Sequence, residues 1–211
     1  MVNSLVMNSL AKLFGSQARV KLTRLFLLHP GFVFSVEEIQ EKSRIPRRLI
    51  ARELSSLLSS RLLRRRSVFK EYTIKKGKKT IIKKKKIQGW TLNEEFYYLQ
   101  GLKRLILSSE SFEKEKMLRK LNKTGRIKLL VISGVFVQSD ESTLDMLIVG
   151  EALKNRAISL ILRNLESEIG KDLRYGVLDT KDFLYRLDVY DRFIRDVLDR
   201  PHEKLINKLG V

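Results

Sequence analysis

The stretch IPRRLIARELSSLLSSRLLRRR, Ile45–Arg66, decides how the first half of the chain folds. Ile50, Leu54 and Leu57 recur at helical spacing and line one face with apolar side chains. Arg48, Arg52 and Ser55 fall on the opposite face, with Arg47 and Ala51 beside them near the N-terminal end. Pro46 suits the first helical position, where its missing N–H costs nothing. Arg64, Arg65 and Arg66 follow the helix in an extended run. The stretch reads as a helix with a buried inner face and a basic outer face, leading into a strand.

Working outward toward the N-terminus, Ala18, Leu22, Leu25 and Phe26 give Ser16–His29 a helical stripe, with Ser16 as its cap. Pro30 and Gly31 end it. Phe32, Val33 and Phe34 read as a short strand. Ser35 and Glu38 have the spacing of a capping box, which opens a short helix over Ser35–Lys42. A tight turn at Ser43, Arg44 and Ile45 joins it to the basic helix. Toward the C-terminus, two extended runs, Leu63–Ile74 and Thr80–Leu92, flank Lys75-Lys76-Gly77-Lys78-Lys79. A glycine in a short loop between β-rich runs signals a hairpin. Phe69 and Tyr72 lie in that hairpin, where they could stack on a base, although packing within the hairpin is the favoured reading.

The charge is concentrated here. The 211-residue chain carries a formal net charge of +19. Residues 1–100 hold 22 Lys and Arg against 7 Glu, a net +15, which leaves +4 for the remainder. Such density favours a polyphosphate partner, because neutralising several phosphates releases counterions. An acidic membrane surface fits less well, since the lysines do not flank large exposed apolar residues on an amphipathic helix. The bland alternative is a solvated basic surface.

Other classes are restricted by composition. The chain has no cysteine, which removes disulfides and Cys-ligated zinc. A hydrophobic content of 43% suffices for packed cores. The N-terminus lacks the basic flank and long apolar run of a signal peptide, and no stretch approaches the ~20 apolar residues of a membrane helix. The expectation is a soluble cytoplasmic protein. His29 and His202 sit beside prolines at element ends, without neighbours that would build a zinc site or a catalytic triad. Gly15-Ser16 mimics the start of a nucleotidyltransferase signature. The first aspartate, Asp140, lies too far downstream to complete it.

The order helix, helix, turn, helix, hairpin over residues 10–92 resembles the winged helix-turn-helix of transcriptional regulators, including the ArsR-like type. The resemblance implies that the third helix enters the major groove and that the hairpin wing touches the backbone or minor groove. It makes Arg47, Arg48 and Arg52 candidates for base or phosphate contacts, with Ser55 on the same face. Lys75, Lys76, Lys78 and Lys79 become wing-tip phosphate contacts. Arg64 and Arg66 share one face of the first strand and join the DNA-binding set, while Arg65 points the other way. Arginine can bond guanine bidentately, whereas lysine suits sequence-independent phosphate contact. Sequence preference is therefore expected from the helix and affinity from the wing.

Asn93, followed by Glu94 and Glu95, is expected to cap a further helix through Phe96, Leu99, Leu102 and Ile106. Its role is either packing or dimerisation. Ser108–Ser111 marks the boundary between domains at 10–108 and 112–211. Beyond it, Phe112–Leu121 is a charged helix, Ile127–Ile132 and Thr143–Val149 are strands, and Ala152–Ile169 is an amphipathic helix ended by Gly170. Leu173–Leu178 is a third strand. Thr180–Leu198 is helical, with supporting pairs Asp188/Arg192, Asp191/Arg195 and Asp196/Arg200. Leu205 and Ile206 form an edge strand or a final turn.

With SGVFVQSDESTLDMLIVG at its centre, the region 118–211 resembles the polymerase-β-like minimal nucleotidyltransferase fold. That family places Gly-Ser before a loop and an Asp-x-Asp pair on the next strand, where both carboxylates hold divalent metal. Here Gly134 keeps the glycine, Val135 replaces the serine, Thr143 replaces the first aspartate and Asp145 alone keeps the second. Asp140 and Glu141 lie in the loop, out of register. One carboxylate binds Mg²⁺ weakly. Gly134 and Asp145 are therefore vestigial candidates, and Asp145 is expected to hold a loop at a strand end. No catalytic residue, metal or cofactor is expected.

The whole chain reads as an α+β protein. An N-terminal winged helix-turn-helix with a long basic wing precedes a small α/β nucleotidyltransferase-like domain used for dimerisation, partner binding or ligand sensing. The expected partner is double-stranded DNA, with structured RNA as the alternative and no membrane; a homodimer is one assembly open to the chain. Two other functions compete: a nucleotidyltransferase or antitoxin-like enzyme recruited to nucleic acid, and an RNA- or ribosome-binding protein.

Overall fold

The computed structural model describes residues 9–76, 79–107, 114–137, 139 and 141–211, with backbone only for 72–76 and 79–82. It is an α+β protein whose described residues form two compact units. One is built from residues of Asn8–Ser108 with Ser167–Lys171, the other from Ser109–Glu166 and Asp172–Val211.

In the first unit a helical segment over 9–14 precedes α1 (Gln17–Leu27), α2 (Val36–Ser43) and α3 (Arg47–Ser59). A hairpin of β1 (Leu63–Lys76) and β2 (Lys79–Leu92) follows, then α4 (Leu99–Ile106). Local chemistry sets the helix starts. The Ser16 hydroxyl accepts from the Arg19 N–H at 3.0 Å. At α2 both halves of the Ser35–Glu38 capping box form, satisfying two helix-end donors at once. Arg44 leaves α2 in the left-handed region at φ +54°, which turns the chain into α3. Leu22, Leu25 and Phe26 of α1 meet Ile39 of α2 and Ile50, Leu54 and Leu57 of α3 in one buried cluster. Phe34 seals it, edge-on to Phe26 at 5.5 Å between ring centroids. Its backbone exchanges two 2.9 Å hydrogen bonds with Trp90, so a single residue acts as a third strand beside β2. Gly89 makes this approach geometrically feasible, since a Cβ there would meet the Phe34 carbonyl oxygen at 2.3 Å.

Three boundaries differ from expectation. Pro46 is not the first helical residue but the N-cap, at φ −57° and ψ 137°, because α3 begins at Arg47. The helix expected from Asn93 begins at Leu99. Asn93 is instead used locally, donating to the Arg61 carbonyl at 2.9 Å and accepting from the Glu95 N–H at 3.3 Å. The strands of the hairpin run to Lys76 and back from Lys79, two residues past Ile74 and one before Thr80. The expected boundary at Ser108–Ser111 lies outside the described residues, apart from the division already given.

In the second unit α5 (Lys114–Leu121) leads to β3 (Arg126–Ser133), a 3₁₀ turn at Gly134–Phe136, β4 (Met146–Glu151) and α6 (Asn155–Ile169). Then come β5 (Tyr175–Asp179), α7 (Thr180–Asp188), α8 (Arg192–Leu198) and β6 (His202–Asn207). The sheet order is β5-β4-β3-β6, with β4 and β5 parallel and the other neighbours antiparallel. Central β3 and β4 are buried on both faces, which is why LLVI and MLIV read as unbroken apolar runs. Leu129, Val131, Leu147 and Val149 pack with Phe183, Ile194 and Val197 of α7 and α8.

The helical region expected over Thr180–Leu198 consists of two helices, broken at Tyr190, which has φ +54°. Asp191 caps α8 by accepting from the Phe193 and Ile194 N–H groups, so it is not the expected helical partner of Arg195. Arg195 lies 3.7 Å from Asp199 instead, and Arg186 takes Asp182 at 3.0 Å. Of the expected pairs, Asp196/Arg200 is present at 4.0 Å. The expected helix start at Ala152 moves to Asn155, because Ala152 adopts φ +51°. The expected strand from Thr143 starts only at Met146, which leaves Thr143 and Asp145 ahead of it.

Candidate nucleic-acid interface

The outer face of α3 is built by subtraction. Ile50, Leu54 and Leu57 are drawn into the core, which turns Arg47, Arg48, Arg52 and Ser55 to solvent, all of them exposed. Arg48 and Arg52 make no ion pair with any described residue. Arg47 is engaged: its Nη1 lies 3.3 Å from Glu37 Oε1, and both side chains are largely exposed. Such a surface pair is weak and yields readily to a phosphate.

The first turn of α2 bridges this helix to the hairpin. Glu37 holds Arg47, while the neighbouring Glu38 holds Lys70 of β1 through both carboxylate oxygens. The Lys70 ammonium also sits 4.6 Å from the centre of the Phe32 ring, a cation–π contact. Hydrogen bonding to its own backbone N–H, aided by Ser35 and the Arg47 charge, holds the Glu37 carboxyl below its usual range. Burial pushes Glu38 upward, but the hydrogen bonds from Lys70 and the Ser35 backbone outweigh it and leave the carboxyl low. Both acids are therefore anchored as anions beside the basic elements they connect.

The hairpin pairs 14 residues of β1 with 14 of β2, from Leu63↔Leu92 to Lys76↔Lys79. At ~3.4 Å per residue it spans ~48 Å. Its strands hold 11 Lys and Arg against one acid, Glu71, so the ribbon repels itself and attracts anions. Lys70 faces Lys85 and Lys76 faces Lys79 in the register. Like charges directly opposite each other destabilise a ladder, by roughly 0.2–1 kcal/mol per pair. Glu71 is matched with Lys84 and forms a 3.1 Å pair with it.

Arg64, Arg65 and Arg66 are all exposed, as are Lys83, Lys84, Lys85 and Lys86. Strand alternation sends successive members to opposite faces, so both faces of the ribbon carry cations. Lys75, Lys76 and Lys79 lie at the far end of the register, and Lys78 lies outside the described residues. Phe69, expected to pack, is 68% exposed opposite Lys86. It is an uncovered aromatic ring among lysines.

Gly134 and Asp145 in the second unit form a structural clamp. Asp145 is fully buried. Its Oδ1 accepts from the Val135 N–H at 3.1 Å and its Oδ2 from the Arg174 N–H at 2.9 Å. The Arg174 guanidinium adds contacts at 3.2 and 3.4 Å. Gly134 has φ +55°, and a Cβ there would lie 2.1 Å from Asp145 Oδ1. The carboxylate thus ties the β3 turn to the start of β5, with its oxygens spent on N–H donors. Among the described residues no group of three or more His, Asp or Glu is placed to hold a metal, and no helix is long and apolar enough to cross a membrane. The histidines are used locally: His29 Nδ1 lies 2.8 Å from the Leu25 carbonyl and His202 Nδ1 2.8 Å from that of Arg200.

Comparison of the chain with protein-family models, with curated proteins and with solved structures found no match.

Four contributors escaped the sequence reading. Glu53 lies within the apolar stretch of α3, yet it is buried and accepts from Ser16 Oγ at 2.8 Å and Arg19 Nε at 2.7 Å. That pair of bonds fixes α3 against α1. Glu37 and Lys70 read as ordinary surface charges, and Glu38 only as half of the capping box. Their only sequence signal was the capping box, which placed the two glutamates in the first turn of α2.

Proposed function

We propose that this chain is a sequence-preferring DNA-binding protein of the winged helix-turn-helix type, acting as a transcriptional regulator in the cytoplasm. In this reading α3 is the recognition helix and the hairpin is the wing. The second unit is a nucleotidyltransferase-like domain used for dimerisation, partner or ligand binding rather than transfer. The observation that carries the reading is the pairing of exposed, unpaired Arg48 and Arg52 on α3 with a strongly basic ribbon joined to the same helix through Glu37 and Glu38. Arginine on a helix face supplies bidentate base contacts, and the ribbon supplies phosphate contacts.

The test is selection of bound sequences from a random duplex pool with structured RNA as competitor. The expected result is an enriched DNA motif. Arg48→Ala and Arg52→Ala should relax it at defined positions, each by about 1–3 kcal/mol of discrimination. Sequence-uniform losses at both, matching those of a wing lysine, would refute a recognition role. A second reading, binding to RNA, is favoured by one observation: the exposed Phe69 ring can stack on an unpaired base. Preferential retention of the RNA competitor would select it. Transfer chemistry is the weakest of the three, because Asp145 spends both oxygens on the Val135 and Arg174 donors.

A further inference from the structure

The first unit contains a cavity of about 580 Å³. This volume suits a small molecule of one to three rings, since ligand pockets range over roughly 300–1,000 Å³. Four aromatic side chains, Phe14, Phe96, Tyr97 and Tyr98, line it. Tyr97 and Tyr98 stand edge to face at 4.8 Å and remain 88% and 68% exposed. Polar groups are few. Arg19 reaches the wall, but its Nε is bound to Glu53, which offsets its charge.

A glycine gives the cavity its meaning. Gly101 lies inside α4 and lines the cavity. Glycine inside a helix is costly relative to alanine, because it loses more backbone freedom on folding. Elsewhere in this unit glycines are explained by close neighbours or positive φ, as at Gly89 and Gly31. At Gly101 the backbone is helical and an added Cβ would meet nothing within 4 Å. Among the described residues, no packing requires this position to be small. The α4 backbone at Gly101 is therefore left open toward the cavity.

We propose that this cavity binds a planar aromatic small molecule carrying one polar or weakly acidic group, and that its occupancy is felt at α3. The ring stacks among the aromatic side chains and over Gly101, and the polar group faces Arg19. A strong anion is disfavoured, because Glu53 already holds Arg19. The second half of the proposal follows from the lining: Ser56 and Leu57 belong to the C-terminal part of α3 and Ser60 is its C-cap, while its N-terminal part carries Arg48 and Arg52. A ligand that prefers one placement of α3 changes DNA affinity, and DNA changes ligand affinity by the same factor. That half rests on the DNA-binding reading; the binding site does not.

The experiment titrates the full chain with 2-naphthol and 2-naphthoate, by calorimetry and by tyrosine fluorescence. The expected result is saturable one-to-one binding of 2-naphthol, with 2-naphthoate weaker, at a Kd on the order of 10–100 µM for a ligand of this size. Gly101→Leu, which projects a side chain into the cavity, should weaken it at least tenfold. Gly101→Ala should fold with an unchanged or higher Tm, which shows that α4 tolerates a side chain at this position. Absence of saturable binding by either probe, or equal binding by Gly101→Leu, overturns the site. So does concentration-dependent dimerisation that Gly101→Leu abolishes while neither probe binds, since the occupant is then a second copy. DNA affinity is measured with and without saturating probe. Unchanged affinity overturns the link to α3. Failure of the unliganded chain to bind DNA refutes the DNA-binding reading, while the titration still decides the site.

Discussion

If the hairpin lies in a groove between two rows of phosphates, neutralising either face should flatten the salt dependence of binding. Lys83 and Lys85 share one face, and Lys84 and Lys86 share the other, by strand alternation. All four are exposed, so each is available to a phosphate. Each phosphate contact on duplex DNA contributes about 0.9 to the slope of log affinity against log salt. A Lys83→Gln/Lys85→Gln double variant should therefore make the slope shallower by about 1.8. Between about 50 and 200 mM salt, the affinity lost by this variant should be about tenfold smaller than that lost by the unsubstituted chain. The Lys84→Gln/Lys86→Gln variant should change the slope by less, nearer about 1. Lys84 already has Glu71 at 3.1 Å, so its transfer to a phosphate displaces fewer counterions. The assay is fluorescence anisotropy of a labelled duplex across the salt range, with circular dichroism to check that each variant keeps its hairpin. A slope that moves for only one face would mean that the ribbon lies flat on the backbone. A slope that moves for neither would remove the hairpin from the interface.

Gly89→Ala should detach Phe34 from β2, because the new methyl group would sit 2.3 Å from the Phe34 carbonyl oxygen. Loss of the two Phe34–Trp90 hydrogen bonds, with local overpacking, should cost about 2–5 kcal/mol, read as a lower midpoint in urea. A midpoint within error of the parent would show that the bridge does not hold the hairpin. Asp145→Asn should destabilise the second unit by about 2–4 kcal/mol, since an amide cannot accept from both the Val135 and Arg174 N–H groups. It should do so equally with and without Mg²⁺ in thermal melts. A Tm that Mg²⁺ raises in the parent and not in the variant would return Asp145 to a metal role.

Much of the first unit is legible in the sequence because its signals are local. The Ser16 cap, the Ser35–Glu38 box and the Ile50, Leu54 and Leu57 stripe each involve residues within a turn or two of one another. Burying that stripe dictates which arginines face out, so the exposed face of α3 was readable from spacing alone. The basic hairpin was likewise announced by Gly77 among lysines. In the second unit the apolar runs of β3 and β4 were visible because both faces are buried.

Tertiary structure decided the rest. Pairing with Phe34 brought Trp90 into a three-strand edge across 56 positions, and Glu53 reached Arg19 across 34. Glu38 reached Lys70 across 32. A local pattern cannot separate such charges from solvated ones, since the partner is chosen by how the helices pack. The exposure of Phe69 follows the same rule: alternation places a ring on a face, but only the surrounding elements determine whether that face is covered. Sequence thus determined the helices, the hairpin and the sign of the surface through short-range periodicity and capping. The joining of α3 to the hairpin, the clamp on Asp145 and the cavity beside Gly101 depend on segments distant in the chain, whose meeting is set by the burial of the whole core.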